Sequence, residues 1–286
     1  MKQPLLMVVL SFCLFSQYTF AQEVATEPEK YTAHNKGKFF VYWGGNRENY
    51  SKSDIRFKGP GYDFTVNNAK AHDEPKGWHI DYINPAKMTI PQTNLKIGYF
   101  ISDHYNISFG VDHMKYVMTQ NQTANIDGYI NVPQDHPGAV YNGTYNGTPT
   151  VLTEEFLKFE HTNGLNYISL EFARVDDISK LFSIGNTDTF QVNITEGIGG
   201  GMLYPRTDAT VIGMNRNNEF HFAGYGLSAK AGINLTFFKY FFITGELKGG
   251  YVDMYDVLTT NNGPDRATHH FTYLQRILAV GGIFRI

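Results

Sequence analysis

The stretch that most constrains the fold is the last one, Phe271 to Ile286, FTYLQRILAVGGIFRI. Every second residue back from the end reads Ile286, Phe284, Gly282, Val280 and Leu278, one wholly apolar face. Between them stand Arg285, Ile283, Gly281, Ala279 and Ile277. A period of two is the mark of a β-strand. A strand that ends a chain has to pair with something earlier, and pairing with the first strand closes the sheet. The first candidate strand is Lys38–Arg47, with Phe39, Val41 and Trp43 on one face and Phe40 and Tyr42 on the other.

Composition agrees with closure around a polar interior. Mean hydropathy is -0.31, yet aromatic residues make up 15% of the chain, with 22 Phe and 19 Tyr. A barrel with an apolar outer band, aromatic girdles and a polar lumen reconciles the two. No later segment approaches the ~18 consecutive apolar residues of a membrane helix. Net charge is -3 with no basic tract, so nucleic acid is not expected as a partner.

Residues 1–21 read as a secretory signal: Lys2, the apolar run Leu5–Phe15, and small residues at Thr19-Phe20-Ala21. Residues 22–37 are polar and patternless, a periplasmic lead-in, and residues 38–286 are the barrel. The single cysteine, Cys13, lies inside the signal and follows Phe12 rather than the small residue of a lipoprotein site. The mature chain then has no thiol, which excludes disulfides and cysteine-based metal sites. No cofactor and no metal are expected.

The remaining strands follow the same alternation. Thr93–Ile101 places Leu95, Ile97, Tyr99 and Ile101 outward; Asn106–Met118 does so with Ile107, Phe109 and Val111. Glu155–Arg174 changes parity between Phe159 and Ile168, which predicts a β-bulge at Gly164. Thr189–Tyr204, Phe220–Leu235, Phe241–Val257 and the terminal strand complete the set. The reading is all-β, an up-and-down antiparallel transmembrane barrel of about eight strands, with both termini periplasmic. It becomes ten if the hairpin around Gly59-Pro60-Gly61 enters the membrane. Long and short connections alternate, as such a barrel requires.

Inward positions collect charges of both signs: Lys96, Asp112, Lys158, Glu160, Glu171, Lys230, Glu246, Lys248 and Arg285. The lumen of an eight-stranded barrel is just filled by side chains. These charges are expected to pair there, because an unpaired buried charge is costly. A narrow channel is the other use of such a lining.

One cluster has the ingredients of catalysis. His161-Thr162-Asn163 sits at the expected bulge, and Glu196 takes an outward, lipid-facing position on the next strand, where a carboxylate is costly. A histidine, a carboxylate and a hydroxyl are the parts of an activated nucleophile; the hydroxyl here is Thr162 or a water. Loop groups with metal-ligand chemistry are His269-His270 with Asp265, His72-Asp73-Glu74, and His79 with Asp81. None has the spacing of a recognised site, and solvated loop residues are the expectation. Tyr62, Trp78, Tyr82 and Tyr141 are loop aromatics that either meet a ligand or pack the loops together.

Two resemblances bear on this. The stretches SKSDIRFKGPGYDFT, KIGYFISDHYNISFGVDHMKYV, FEHTNGLNYISLEF and AGYGLSAKAG resemble a family of uncharacterised Gram-negative outer-membrane β-barrel proteins over nearly the whole mature chain. That resemblance implies fold and location, and no activity. More loosely, the order of His161 and Glu196 is similar to the lipid A deacylases, eight-stranded barrels with a His-x-Ser-Asn stretch and a Glu on a neighbouring strand. This chain has Asn163 where the nucleophilic Ser would stand. The expected role is therefore non-enzymatic: surface contact, adhesion or envelope integrity. An outer-leaflet hydrolase and a narrow channel are the alternatives. The expected partners are outer-membrane lipid and lipopolysaccharide, the barrel assembly machinery and an extracellular ligand.

Overall fold

The structure, a computed structural model, describes residues 34–77, 92–214, 219–260 and 263–286. The expected signal at residues 1–21 lies outside them, as do Trp78, His79, Asp81 and Tyr82. Among the described residues no helix is long and apolar enough to cross a membrane.

Eight antiparallel strands close into a ring. They are β1 (Phe39–Tyr50), β5 (Thr93–Phe100), β6 (Tyr105–Met114), β11 (Leu165–Asp177), β12 (Phe190–Pro205), β14 (Gly224–Phe237), β15 (Phe241–Leu258) and β16 (Arg266–Phe284), each paired with the next. The ring shuts by pairing β1 with β16, from Phe39 opposite Phe284 to Tyr50 opposite Tyr273. The first strand therefore meets the last over its full length, and among the described residues the ring counts eight strands, not ten.

The register gives the geometry of closure. The rung that leaves β1 at Phe40 passes Gly98, Ser108, Glu171, Gly199, Ser228, Gly250 and Tyr273 and returns to β1 at Tyr50. It comes back ten residues further along the strand. A stagger of that size in eight strands tilts them about 40° from the axis. Outward positions are apolar and exposed: Ile97, Phe109, Leu170, Ile198, Leu227, Leu247 and Leu278 among them. On β15 this face runs from Phe241 to Tyr251, a band about 25 Å tall at that tilt.

At one end the strands turn tightly, at Ser102–His104 and Phe238–Tyr240. At the other the long connections are not loose. Five short strands, β2 (Ser53–Gly59), β3 (Tyr62–Ala69), β4 (Ala71–His72), β7 (Val117–Met118) and β8 (Thr123–Ile130), lie in the first two of them. β9 (Gly143–Val151), β10 (Leu157–Glu160) and β13 (Asp208–Val211) complete the set. The upper part of β16 outruns the ring and carries β2, β3, β8 and β9 edge to edge. A second small sheet, in the order β13, β10, β7, β4, faces it. Their shared core holds Ile55, Phe57, Phe64, Val66, Ile126, Leu157 and Phe159, all essentially inaccessible. Phe57 meets Phe159 edge-on at 5.3 Å between ring centres. The hairpin around Gly61 is thus a wall of this domain and does not join the ring.

This corrects the expected strand Glu155–Arg174. The parity change is not a bulge in one strand. β10 belongs to the small sheet and β11 to the ring, and the chain crosses between them at His161–Gly164. Gly164 has a φ of +138°, a conformation closed to most side chains, and its carbonyl accepts from the Arg206 amide at 2.9 Å. Two alternating segments in different sheets have no reason to share a parity.

Candidate functional site

The lumen holds the densest polar chemistry. Lys96, Asp112, Glu171, Lys230, Glu246 and Lys248 all point inward and are buried or nearly so. Each owes its direction to the alternation of its strand: in β15, Glu246 and Lys248 face in while Gly245 and Leu247 face out.

Glu171 is the hub. Its carboxylate accepts from Lys96 Nζ at 2.5 Å and from Lys248 at 2.7 Å, and Lys230 Nζ lies 3.0 Å away. Lys248 also reaches Asp112 at 2.6 Å, and Lys230 reaches Glu246 at 3.2 Å. Tyr42 donates its hydroxyl to Glu246 at 3.2 Å. Asn94 donates to Asp112 at 2.5 Å. Three ammonium groups and three carboxylates thus cancel across the lumen. Removed from water, such charges are tolerable only when fully paired.

The plug continues upward. Glu48 accepts from Gln275 at 2.9 Å and from Gln92 at 2.5 Å, and Gln92 also donates to Asp73. Above these, Tyr50, Tyr116 and Phe271 stack edge and face, with ring centres 4.8–5.5 Å apart. At the tight-turn end the lumen stays open. A cavity of about 70 Å³ there is lined by Phe40, Tyr42, Phe242, Gln191, Asn193 and Asn234.

Six of the nine charges read as inward come together, and three do not. Lys158 and Glu160 lie on β10, outside the ring, where Lys158 Nζ pairs with Asp208 at 3.3 Å and Glu160 at 3.4 Å. A place in the lumen would require β10 to continue into β11, and it does not. Arg285 follows the end of β16 and is exposed; it donates to the Lys36 carbonyl at 2.7 Å. Glu48, Gln92 and Gln275 were missed. The even-numbered face of β1 (Tyr42, Gly44, Asn46, Glu48) was the available sign for the first.

The His161 and Glu196 cluster does not assemble. Glu196 is exposed on the outer face of β12, opposite Arg174 on β11. Arg174 lies nine residues beyond Leu165, so about 30 Å of strand separates Glu196 from the His161 end. The β11–β12 hairpin is centred near Gly185, far along the chain from the crossing. Thr162 donates to Glu160 at 3.0 Å, and Asn163 is exposed.

His161 meets another histidine instead. It is inaccessible, and its Nε2 lies 3.5 Å from Nε2 of His269, itself 3% exposed. Ser53 Oγ donates to the His270 carbonyl at 2.9 Å and so is left to accept from His269 Nδ1 at 3.5 Å. That makes His269 Nε2 the acceptor of the pair, His161 Nε2 the donor, and Thr207, 3.0 Å from His161 Nδ1, the donor to it. Burial alone pushes His161 down to about 3. Burial, then repulsion from His161, holds His269 well below the usual imidazole range. Both rings are neutral and caged by Tyr116, Phe159 and Phe271.

The other loop candidates are structural in placement. Asp265 accepts from Tyr62 at 2.7 Å and from Thr260 at 2.6 Å. His72 meets Thr119 at 3.1 Å, His270 is exposed, and Tyr141 packs on Phe156. Among the described residues no group of three or more His, Cys, Asp or Glu stands ready to hold a metal.

No protein-family model and no curated protein matches this chain. Among solved structures it is similar to OprG of Pseudomonas aeruginosa, with 9% identity over 89% of this chain and 99% of that one and a TM-score of 0.36. Neisserial surface protein A gives 10% identity, 88% and 98% coverage and a TM-score of 0.34. Ail, the attachment invasion locus protein of Yersinia pestis, gives 11%, 87% and 99%, and 0.31. Likeness to a lipid A deacylase is not shown. Scores and identities of this size say nothing of activity. The chain's own structure is an all-β, antiparallel ring of eight strands with paired charges across the middle of its lumen.

Proposed function

We propose that this chain is an outer-membrane β-barrel that serves as a surface protein, binding or adhering through a rigid extracellular β-domain, and neither conducts nor catalyses. The band of exposed apolar residues, about 25 Å tall, fits the hydrocarbon thickness such barrels span. The tight turns and both termini then face the periplasm, after a signal at residues 1–21, and the two-sheet domain faces outward. Outer-leaflet lipid and lipopolysaccharide, the assembly machinery and an extracellular ligand are its partners.

The observation that carries this reading is the lumen. A complete ion-pair layer around Glu171, capped by Glu48 with the Gln92 and Gln275 amides and by the Tyr50–Tyr116–Phe271 stack, fills the middle of the ring with paired and packed side chains. The roughly 30 Å of strand between the Leu165 rung, next to the His161–Gly164 crossing, and the Glu196 rung argues against the hydrolase. The test is planar-bilayer recording of the folded protein, joined to lipid A mass spectrometry of cells that express it. The reading expects no unitary conductance and an unchanged lipid A profile. Reproducible channel steps or the loss of an acyl chain would each overturn it.

A further inference from the structure

The His161–His269 pair has no part in the ion-pair layer of the lumen and none in the membrane band. The geometry that lets one ring donate to the other also lets both nitrogens face a single shared ion. The ring centres lie 5.6 Å apart and the two Nε2 atoms 3.5 Å apart. The difference, 2.1 Å, is nearly two whole ring radii, so both nitrogens lie close to the line between the centres. The rings point at each other tip to tip. Each outer nitrogen is held by a hydroxyl, Thr207 Oγ1 on His161 and Ser53 Oγ on His269. Metal-bound imidazoles are oriented in the same way by a partner on the second nitrogen.

The surroundings select the kind of ion. Met254 stands directly opposite His269 in the β15–β16 register and is fully buried, which puts a thioether on the same face. The pair is caged by Tyr116, Phe159 and Phe271. A dication in such a cage would carry about four times the Born cost of a monovalent ion, with no charge to offset it. Neutral imidazole and thioether donors suit a soft monovalent ion.

We infer that His161 and His269, backed by Met254, form a two-coordinate site for a soft monovalent metal ion such as silver(I) or copper(I). With metal–imidazole bonds of about 2 Å, a linear ion needs about 4 Å between the nitrogens, so the tips open by about 0.5 Å. The His161 proton moves from Nε2 to Nδ1, and Thr207 turns from donor to acceptor. No proton is lost and no electron is transferred. The low proton affinity that burial imposes on both rings keeps their lone pairs free at neutral pH.

The probe is silver(I), which needs no reductant, added to the folded full chain in a Cys13→Ser background so that no thiol competes. The site predicts one equivalent retained through desalting, and a silver K-edge absorption shell of two nitrogens, with or without one sulfur. The joint variant His161→Gln/His269→Gln lowers affinity by about a hundredfold or more. Met254→Leu, which conserves volume, removes any sulfur from the shell, and His270→Gln, on the exposed neighbour, changes nothing. Should the double variant fail to fold, the wild-type absorption shell decides alone. No retained silver overturns the site. So does a shell of oxygens, or retention that follows His270 and survives the double variant.

Discussion

Glu171 and Lys248 meet 2.7 Å apart in the middle of the lumen, each side chain about 1% exposed or less, on strands separated in the ring by β12 and β14. The bond joins β11 to β15 without any backbone pairing between them. It fixes the bore as well as filling it. Its partners, Lys96 and Lys230, would be left with too little opposite charge if the hub were removed.

Glu171→Ala is therefore expected to cost about 3–5 kcal/mol, because it leaves buried ammonium groups unpaired. Glu171→Ala joined to Lys248→Ala costs less than the sum of the two single changes. Urea unfolding of the protein in lipid vesicles measures this. Equal stability of Glu171→Ala and wild type would show that water already reaches the network.

Two adjacent glycines on β15 separate packing from backbone freedom. A side chain at Gly250 would run into the ring of Tyr273 on β16, whereas one at Gly249 meets nothing nearer than 3.9 Å. Gly250→Ala should destabilise by about 1–3 kcal/mol through overpacking, and Gly249→Ala should be close to neutral. The shift of a heat-modified band on a gel reports the difference. A matched loss at both positions would point to strand propensity instead.

The buried histidine pair sets a pH dependence. Unfolded, an imidazole titrates near 6.5; folded, His161 titrates at about 3 and His269 well below the usual value. Between these the unfolded chain binds more protons, so stability is complete above about pH 6.5 and falls as pH drops toward 3. Each ring contributes about 1.4 kcal/mol per pH unit within that window. Unfolding midpoints from pH 7 to 4 should fall steeply in wild type and less in His161→Gln/His269→Gln. Parallel slopes would mean that water reaches the pair.

Glu196 is a carboxylate in the outer apolar band, and Arg174, opposite it, is engaged by Asp176 at 2.7 Å. Glu196→Leu should therefore stabilise the folded protein by about 1 kcal/mol and leave host lipid A unchanged. A loss of stability would mean that the carboxylate has a partner worth more than its desolvation cost.

The alternation in Phe271–Ile286, and in the other ring strands, determined which side chains face the lumen and which face out. It did so because a strand's facing is set by neighbours two residues apart, and that information is local. Hence Lys96, Asp112, Glu171, Lys230, Glu246 and Lys248 could be named as inward before any pairing was known. Local pattern does not say which sheet a strand joins. β10 and β11 both alternate, and only packing against Phe57 and Phe64 took the first out of the ring and Lys158 and Glu160 with it. For the same reason the tertiary structure alone decided that His161 turns away from Glu196 and toward His269. Contacts between such distant positions are chosen by the burial of shared apolar surface, which has no period for a sequence to display.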